Sequence, residues 1–183
     1  LVANSLLGGK KPGAYEDKDH PYAIVAPWIL REVGGFKLGI IGLVTPGLPF
    51  WTHPSMLKGF QATSPVDAVQ AAVTQLQAKG AECIICAGHM GLKWKDDFAN
   101  QVKTLTSKVQ GIDAYIAGPT HQDVPSQSVN KVLFTQASYY GITCGRLDLT
   151  FSESTRQLVD RRGFAMLMDR RLDLDPVVIA TAS

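Results

Sequence analysis

The sequence is poor in cysteine and carries little net charge. Its 183 residues include three cysteines, too few for a disulfide framework, so the cysteine content does not indicate a cellular compartment. A net charge of +2 argues against the dense basic face that binding to a nucleic-acid duplex requires. Hydrophobic residues make up 45% and charged residues 19%, a balance typical of a globular domain and too apolar for a disordered chain.

The sequence also lacks an apolar run long enough to span a membrane, and no secretory signal is visible in it. It begins with Leu1 rather than Met, so we expect a chain that was processed, cut or excised from a longer protein. The missing signal therefore does not indicate where that protein resides.

Two of the cysteines, Cys83 and Cys86, have the spacing of a redox pair or of half a zinc site. They lie within a short apolar run at 83–87, whereas a redox pair would start a helix and a zinc pair would occupy a turn. We therefore predict that both thiols are buried in the interior of a strand.

Hydrophobic periodicity predicts strands that alternate with helices. Strand, helix, strand, helix and strand are predicted in turn at 36–44, 64–80, 82–87, 96–108 and 114–117. Right-handed crossovers in this order give a parallel sheet. Three further strands of more antiparallel character are predicted at 131–136, 142–150 and 157–168. The predicted fold class is therefore α/β, a layered domain with a mixed sheet.

The remaining segments are predicted to be mostly irregular. The end of a strand is predicted at 1–3, a loop at 5–21 and one or two outer strands at 22–33. The pair Gly34-Gly35 supplies the positive φ angles of a hairpin turn. A long loop rich in proline is predicted at 45–63, and loops of this length often carry function.

Two of the four histidines follow predicted strands. His89 comes shortly after the strand at 82–87 and His121 shortly after the strand at 114–117, each close to a glycine. One helix joins these strands, so we expect them to be neighbours, with both imidazoles at the rim where ligands bind in parallel sheets. Neutral imidazole is a common ligand of zinc, manganese and iron. The pair is a candidate metal site, and exposed loop histidines without function are the alternative.

Trp51 and Tyr139 are candidate substrate-contacting residues. An exposed tryptophan in a long loop could stack on a base or a sugar, or it could anchor the loop to the core. Tyr139, which precedes a second tyrosine and a glycine, allows the same two interpretations. Asp113 lies at the start of its strand, away from the rim, and is predicted to cap or pair there.

Motifs in the same order along the chain resemble those of a known family. They are Val2-Ala3-Asn4, Gly39-Ile40-Ile41-Gly42-Leu43-Val44-Thr45-Pro46, Gly80-Ala81-Glu82 with Gly88-His89-Met90-Gly91, Gly111-Ile112-Asp113-Ala114 with Gly118-Pro119-Thr120-His121, Gln136-Ala137-Ser138-Tyr139-Tyr140-Gly141 and Gly145-Arg146-Leu147-Asp148-Leu149. On these motifs the chain resembles the 5′-nucleotidase and 2′,3′-cyclic-nucleotide 2′-phosphodiesterase group of calcineurin-like metallophosphoesterases. Segments 49–51 and 57–59 resemble the cyclic-phosphodiesterase branch in particular.

The resemblance implies a metallophosphoesterase sandwich of α/β/β/α layers, of which only the C-terminal half is present. Residues 1–172 would belong to that catalytic domain, and 173–183 would be a tail or the start of a linker helix. It also implies two divalent metal ions (Zn, Mn, Mg or Fe) that clamp a phosphate and activate a water. His89 would bind one ion and His121 the other. The substrate would be a nucleotide or another phosphoester, and the location periplasmic or extracellular.

The chain departs from the family pattern in two ways. Pro119 stands where the family has a histidine ligand, and the family's Asp-x-His, bridging Asp and Gly-Asn-His-Asp/Glu segments are not in the sequence. Two of roughly seven or eight ligands remain, so the isolated chain is expected to bind metal weakly and hydrolyse nothing. An unpaired sheet edge predicts association with the missing N-terminal half or with a second copy.

Three hypotheses follow for the parent protein. It is an active nucleotide phosphoesterase, or a relative with a degraded metal site that serves as a binding or structural module, as Pro119 suggests. In the third hypothesis the resemblance is to the fold alone, and the chain is an unrelated α/β ligand-binding domain.

Overall fold

A computed structural model of the chain describes residues 1–7, 9–11, 25–169 and 175–182. Its strands are β1 (Ser5–Leu7), β2 (Trp28–Val33), β3 (Phe36–Leu43), β4 (Phe60–Ala62), β5 (Cys83–Gly88), β6 (Ala114–Ala117), β7 (Val124–Val129), β8 (Val132–Gln136), β9 (Thr143–Phe151) and β10 (Leu158–Leu167). Its helices are α1 (Leu48–Trp51), α2 (Pro54–Leu57), α3 (Pro65–Ala78), α4 (Val102–Lys108) and α5 (Pro176–Ala182). Within the described ranges, no helix has the length and apolar character needed to cross a membrane.

Six of the strands form one mixed sheet in the order β2-β3-β5-β6-β8-β7. Its inner strands run parallel, because β3 pairs with β5, β5 with β6 and β6 with β8 in parallel register. The outer strands β2 and β7 are antiparallel to their neighbours. The predicted α/β fold with a mixed sheet is therefore confirmed.

The main core lies between this sheet and the helices α3 and α4. The buried face of α3 contributes Val69, Val73 and Leu76. From the sheet, Tyr115 and Phe134 meet them with their rings stacked at 6.0 Å between centroids. Burial of each such apolar side chain stabilises the fold by about 1.5–3 kcal/mol, so this interface fixes the sheet whose rim carries the candidate site.

The opposite face of the sheet is covered by the antiparallel hairpin of β9 and β10. Sheet residues Cys83, Ile85, Ala114 and Leu133 form a second buried cluster, against which hairpin residues Leu147, Leu149, Phe151 and Leu158 pack. These elements give a helical layer, a six-stranded sheet and a two-stranded layer.

Cys83 and Cys86 are both buried in β5, on the two faces of the sheet. Burial raises the pKa of each thiol to about 12. A thiol with so high a pKa stays protonated at neutral pH and is a poor nucleophile. The prediction that these cysteines belong to a strand interior is confirmed.

The structure corrects the predictions for several segments before residue 64. Part of the loop predicted at 5–21 is strand β1, which pairs antiparallel with β4, and the loop predicted at 45–63 contains α1, α2 and β4. Residues 1–3 are not a strand, although the Ala3 amide donates to the Gly42 carbonyl at 2.7 Å. These pairings join distant segments, so the local pattern did not indicate them. The rest of the predictions for 5–21 and 22–33 lies partly outside the described residues.

One further prediction was wrong in detail, and one strand was not predicted. The helix predicted at 96–108 begins only at Val102, and Asp96 caps it from the preceding loop by accepting from the amides of Lys103 (3.3 Å) and Thr104 (2.6 Å). Strand β7 was not predicted, because its exposed, polar sequence has no apolar alternation. It is an edge strand that pairs with β8.

Candidate functional site

His89 lies directly after β5, at the rim formed by the carboxyl ends of the parallel strands. Strands β5 and β6 are adjacent and parallel, with Ala87 opposite Ile116. A methyl group placed on Gly118, the residue after β6, would lie 3.9 Å from Nδ1 of His89. The His89 imidazole therefore lies against the start of the loop that leads to the second predicted histidine.

His121 lies in that same loop, and its side chain is exposed. Its φ angle of +56° is in the left-handed region, which residues other than glycine seldom adopt. Its ring packs against Tyr139 at 5.6 Å and Tyr140 at 6.4 Å between centroids. Because Tyr139 follows β8, and β8 pairs with β6, neighbouring strand ends bring this imidazole and this phenol together.

The loop of His121 is fixed by Gln136, the last residue of β8. The Thr120 hydroxyl donates to Oε1 of Gln136 at 3.0 Å, and Nε2 of Gln136 donates to the Gln122 carbonyl at 2.9 Å. Gln136 is buried, so these bonds are shielded from competing water. This residue was included in the motif at 136–141, but its role was not predicted, and the signal for that role was a polar side chain at the end of an apolar strand.

The loop of His89 is held by a second buried amide, Asn100, whose Oδ1 accepts from the Gly91 amide at 2.8 Å. Asn100 is positioned in turn by Asp97, which accepts from its backbone amide at 2.7 Å. A hydrogen bond from Lys93 is the main cause that lowers the pKa of Asp97 to about 2. A methyl group on Gly91 would lie 2.3 Å from Cγ2 of Thr120, so the two histidine loops touch.

A cleft of about 820 Å³ opens beside these loops. Its lining includes Trp51, Trp94, Lys95, Asn100, Pro119 and Thr120. Trp51 is the last residue of α1, is 58% exposed and makes an edge contact with the ring of Phe98 at 6.1 Å. The structure thus brings Trp51 to the rim, whereas Tyr139 lies against His121 and is not part of the cleft lining.

The residues at this rim do not form a metal site by themselves. Within the described ranges, no group of three or more His, Cys, Asp or Glu side chains could hold a metal ion. Pro119 has no donor atom in its side chain. Asp113 lies at the opposite end of the strands, where it accepts from the Ile84 amide at 2.9 Å and pairs with Arg161 at 3.0 Å, in keeping with its predicted pairing role.

Curated proteins with similar sequences include a nucleotide phosphoesterase, an endonuclease and several 5′-nucleotidases. The trifunctional nucleotide phosphoesterase protein YfkN of Bacillus subtilis is 25% identical over 81% of this chain, and the 5′-nucleotidase of Bos taurus is 25% identical over 98%. The endonuclease YhcR of Bacillus subtilis is 28% identical over 82% of the chain. The chain is thus similar in sequence to 5′-nucleotidases and to a nucleotide phosphoesterase. No family model matches it.

Solved structures of 5′-nucleotidases and of a calcineurin-like phosphoesterase share the fold of this chain. The calcineurin-like phosphoesterase YfkN of Bacillus subtilis matches with a TM-score of 0.79 at 20% identity, over 99% of this chain and 59% of that one. A 5′-nucleotidase precursor of Thermus thermophilus matches with a TM-score of 0.73 at 23% identity, over 100% of this chain and 36% of that one. The chain spans 12% of curated YfkN and 31% of the bovine enzyme, so it corresponds to a part of these longer proteins.

Proposed function

We propose that this chain is part of a metal-dependent phosphoesterase that hydrolyses nucleotides or cyclic nucleotides. The observation that carries the proposal is the placement of His89 and His121 after neighbouring parallel strands, on touching loops beside one cleft. The names of the relatives, a nucleotide phosphoesterase and a 5′-nucleotidase, support the substrate class.

Two divalent cations (Zn, Mn, Mg or Fe), if bound at this rim in the longer protein, would supply an activated water for the proposed hydrolysis. His89 and His121 are the ligands that this chain offers to such ions. Two exposed imidazoles do not fit a pair of ions, so the other ligands would come from the rest of a longer protein. The isolated chain is accordingly expected to be inactive.

The chain's own contribution is a rigid rim. Asn100 holds the loop of His89 and Gln136 holds the loop of His121, and both amides are buried. Preorganised side chains of this kind do not have to be ordered again when substrate binds. Trp51 beside the cleft and Tyr139 against His121 are the proposed substrate-contacting residues.

Pro119 favours a second candidate function. It lies in the loop of His121, in the wall of the cleft, at the position where the resembling family has a histidine ligand. A parent protein with this site degraded would serve as a binding or structural module without turnover.

We further propose a periplasmic or extracellular location by family resemblance. The catalytic part would comprise residues 1–172, and 173–183, which includes α5, would be a tail or linker. The proposed partners are a phosphoester substrate and either the missing part of the domain or a second copy of this chain.

Hydrolysis of 5′-AMP and 2′,3′-cyclic AMP by the longer parent protein, with added divalent metal, tests the proposal. His89→Asn and His121→Asn should each lower kcat/KM by at least about a hundredfold, because each removes a metal ligand. His53→Asn is the matched control. His53 caps α2 by accepting from the Ser55 amide at 3.3 Å and is exposed, so its replacement should change kcat/KM by less than about twofold.

The isolated 183-residue chain provides the second arm of the test. After dialysis it should hold far less than two equivalents of metal and show no turnover. Rim variants as active as the His53 control would refute the proposed metal role. A parent protein that binds nucleotides, holds no metal and does not hydrolyse the nucleotides would instead support the second candidate function, a binding module without turnover.

A further inference from the structure

We propose that Asp97 is a positioning residue for the candidate site and acts through the turn at 97–100, which holds the loop of His89 in place. In this proposal Asp97 binds neither metal nor substrate. Its carboxylate fixes the turn, and the turn fixes the loop. The inference rests on the proposed phosphoesterase function and deepens it, because it assigns a role in the same site to a residue outside the proposed metal ligands.

The carboxylate of Asp97 is the centre of this turn. Its Oδ1 accepts from the backbone amides of Ala99 at 2.9 Å and Asn100 at 2.7 Å, and Nδ2 of Asn100 donates to it at 3.1 Å. The backbone amide of Asp97 donates to the Asn100 carbonyl at 3.0 Å, which closes the turn. Hydrogen bonds to an ionised acceptor are stronger than those between neutral groups. Asp97 therefore fixes both the backbone of the turn and the side chain of Asn100.

Asn100 connects the turn to the loop of His89. Its Oδ1 accepts from the Gly91 amide at 2.8 Å, and the His89 amide donates to the Leu43 carbonyl at 3.3 Å. The loop is thus held at one point by strand β3 and at a second point by the turn. Because Nδ2 of Asn100 donates to Asp97, the oxygen end of the same amide faces Gly91. Asn100 and Gly91 are both buried, so water does not readily replace their hydrogen bond.

The same turn also holds the loop that follows β3. The buried hydroxyl of Thr45 donates to the Ala99 carbonyl at 3.0 Å and accepts from the Gly47 amide at 3.0 Å. Gly47 precedes α1, which ends at Trp51, and a methyl group on Gly47 would lie 2.7 Å from Cβ of Ala99. The turn is therefore packed against the loop of Trp51 and bonded to the loop of His89, so a disturbed turn should move both.

The neighbouring Asp96 provides a matched comparison. Its carboxylate also accepts from two backbone amides, those of Lys103 at 3.3 Å and Thr104 at 2.6 Å, and both aspartates are partly buried. The amides that Asp96 accepts from belong to α4, whereas those bound by Asp97 belong to the turn. Alanine at either position removes hydrogen bonds of the same type, but only at position 97 do these bonds lead to His89.

NMR spectra of the metal-free 183-residue chain test the proposal. Asp97→Ala should shift the ring signals of His89 and the indole N–H signal of Trp51, and it should speed exchange of the Gly91 amide proton by about tenfold or more. Asp96→Ala should leave these signals in place, although urea denaturation should show a similar loss of stability. Asp97→Asn keeps an oxygen for the two backbone amides and should retain most of the original spectrum.

A second variant tests the same link if Asp97→Ala is too unstable to measure. Asn100→Asp keeps the shape of the side chain but places a carboxylate against that of Asp97, so it should shift the same signals of His89 and Gly91. The double variant Asp97→Asn with Asn100→Asp exchanges donor and acceptor and should restore them.

Kinetics of the longer parent protein provide the functional arm. Asp97→Ala should lower kcat/KM for 5′-AMP by about ten- to a hundredfold, the range for a residue that supports a metal ligand. Asp96→Ala should change kcat/KM by less than about twofold.

Unchanged signals of His89 and Gly91 in Asp97→Ala, or equal shifts in Asp96→Ala, would overturn the proposal. Because the NMR arm involves neither metal nor hydrolysis, it is separate from the test of function. Shifted His89 signals together with an inactive parent would sustain the positioning role and refute the phosphoesterase. A parent that hydrolyses 5′-AMP equally well with alanine at position 97 would do the reverse.

Discussion

Replacing Gly88 by alanine tests how tightly the loop of His89 is packed on the sheet. Gly88 is the last residue of β5. A methyl group there would lie 2.4 Å from the hydroxyl oxygen of Tyr115 and 2.9 Å from Cβ of Leu43. Tyr115 is fully buried, so its ring cannot turn aside into solvent, and a Cβ atom moves only with its backbone. The backbone around His89 must therefore shift to accept the methyl group.

Overpacking of a well-filled core costs about 1–3 kcal/mol, so we expect Gly88→Ala to lower the free energy of unfolding by about that amount. Gly118→Ala is the matched control on the neighbouring strand end. The nearest atom to its new methyl group is Nδ1 of His89 at 3.9 Å, an ordinary van der Waals contact. Its free energy of unfolding should change by less than about 0.5 kcal/mol.

Tyr115→Phe identifies the source of the penalty. The Tyr115 hydroxyl is buried without a hydrogen-bond partner of good geometry, although the Met90 backbone amide lies near it. Its removal should therefore cost little, and it takes away the atom closest to the new methyl group. In the Tyr115→Phe background the cost of Gly88→Ala should fall by roughly half or more.

Urea denaturation followed by circular dichroism, on the four combinations of these two sites and on Gly118→Ala, gives the required free energies. The NMR signals of the His89 ring report whether the loop has moved. Equal penalties in the Tyr and Phe backgrounds, or a Gly118→Ala penalty as large as that of Gly88→Ala, would show that steric contact at Tyr115 is not the cause.

Two further predictions concern charge and surface. The hydrogen bond from Arg156 is the main cause that lowers the pKa of Glu82 from 4.5 to about 2, so this pair stabilises the fold above pH 4.5 and the contribution is lost as pH falls toward 2. The melting temperature of Glu82→Gln should accordingly depend less on pH between 2 and 4.5 than that of the exposed control Glu153→Gln. Equal pH dependence of the two melting temperatures would contradict this. Phe164 and Met166 are exposed on the outer face of β10. Joint replacement of both by lysine should therefore reduce self-association of the isolated chain, as measured by analytical ultracentrifugation. Unaltered association would show that this face of β10 is not the contact surface.

The central elements of the fold were predictable because their signals are local. The helix α3 starts where predicted, with Pro65 in its first turn and the Ser64 hydroxyl accepting from the Asp67 amide at 3.3 Å. The apolar runs of β5 and β6 are continuous, and the predicted bounds of β6, Ala114–Ala117, agree with the structure. A single helix between these two strands was enough to predict their parallel pairing, and hence a common rim for His89 and His121.

The cleft could not be derived in the same way, because its parts come from separate segments that only tertiary contacts join. Trp51 ends a short helix inside a predicted loop, Trp94 lies where the pattern indicated only the approach to a helix, and Pro119 follows a different strand. Hydrogen bonds from side chains to the backbone, such as those of Asn100 and Gln136, hold the loops around the cleft. Such bonds leave no periodic trace in a sequence. An isolated polar residue that is buried next to an apolar element is therefore the feature to look for when a site is sought between loops.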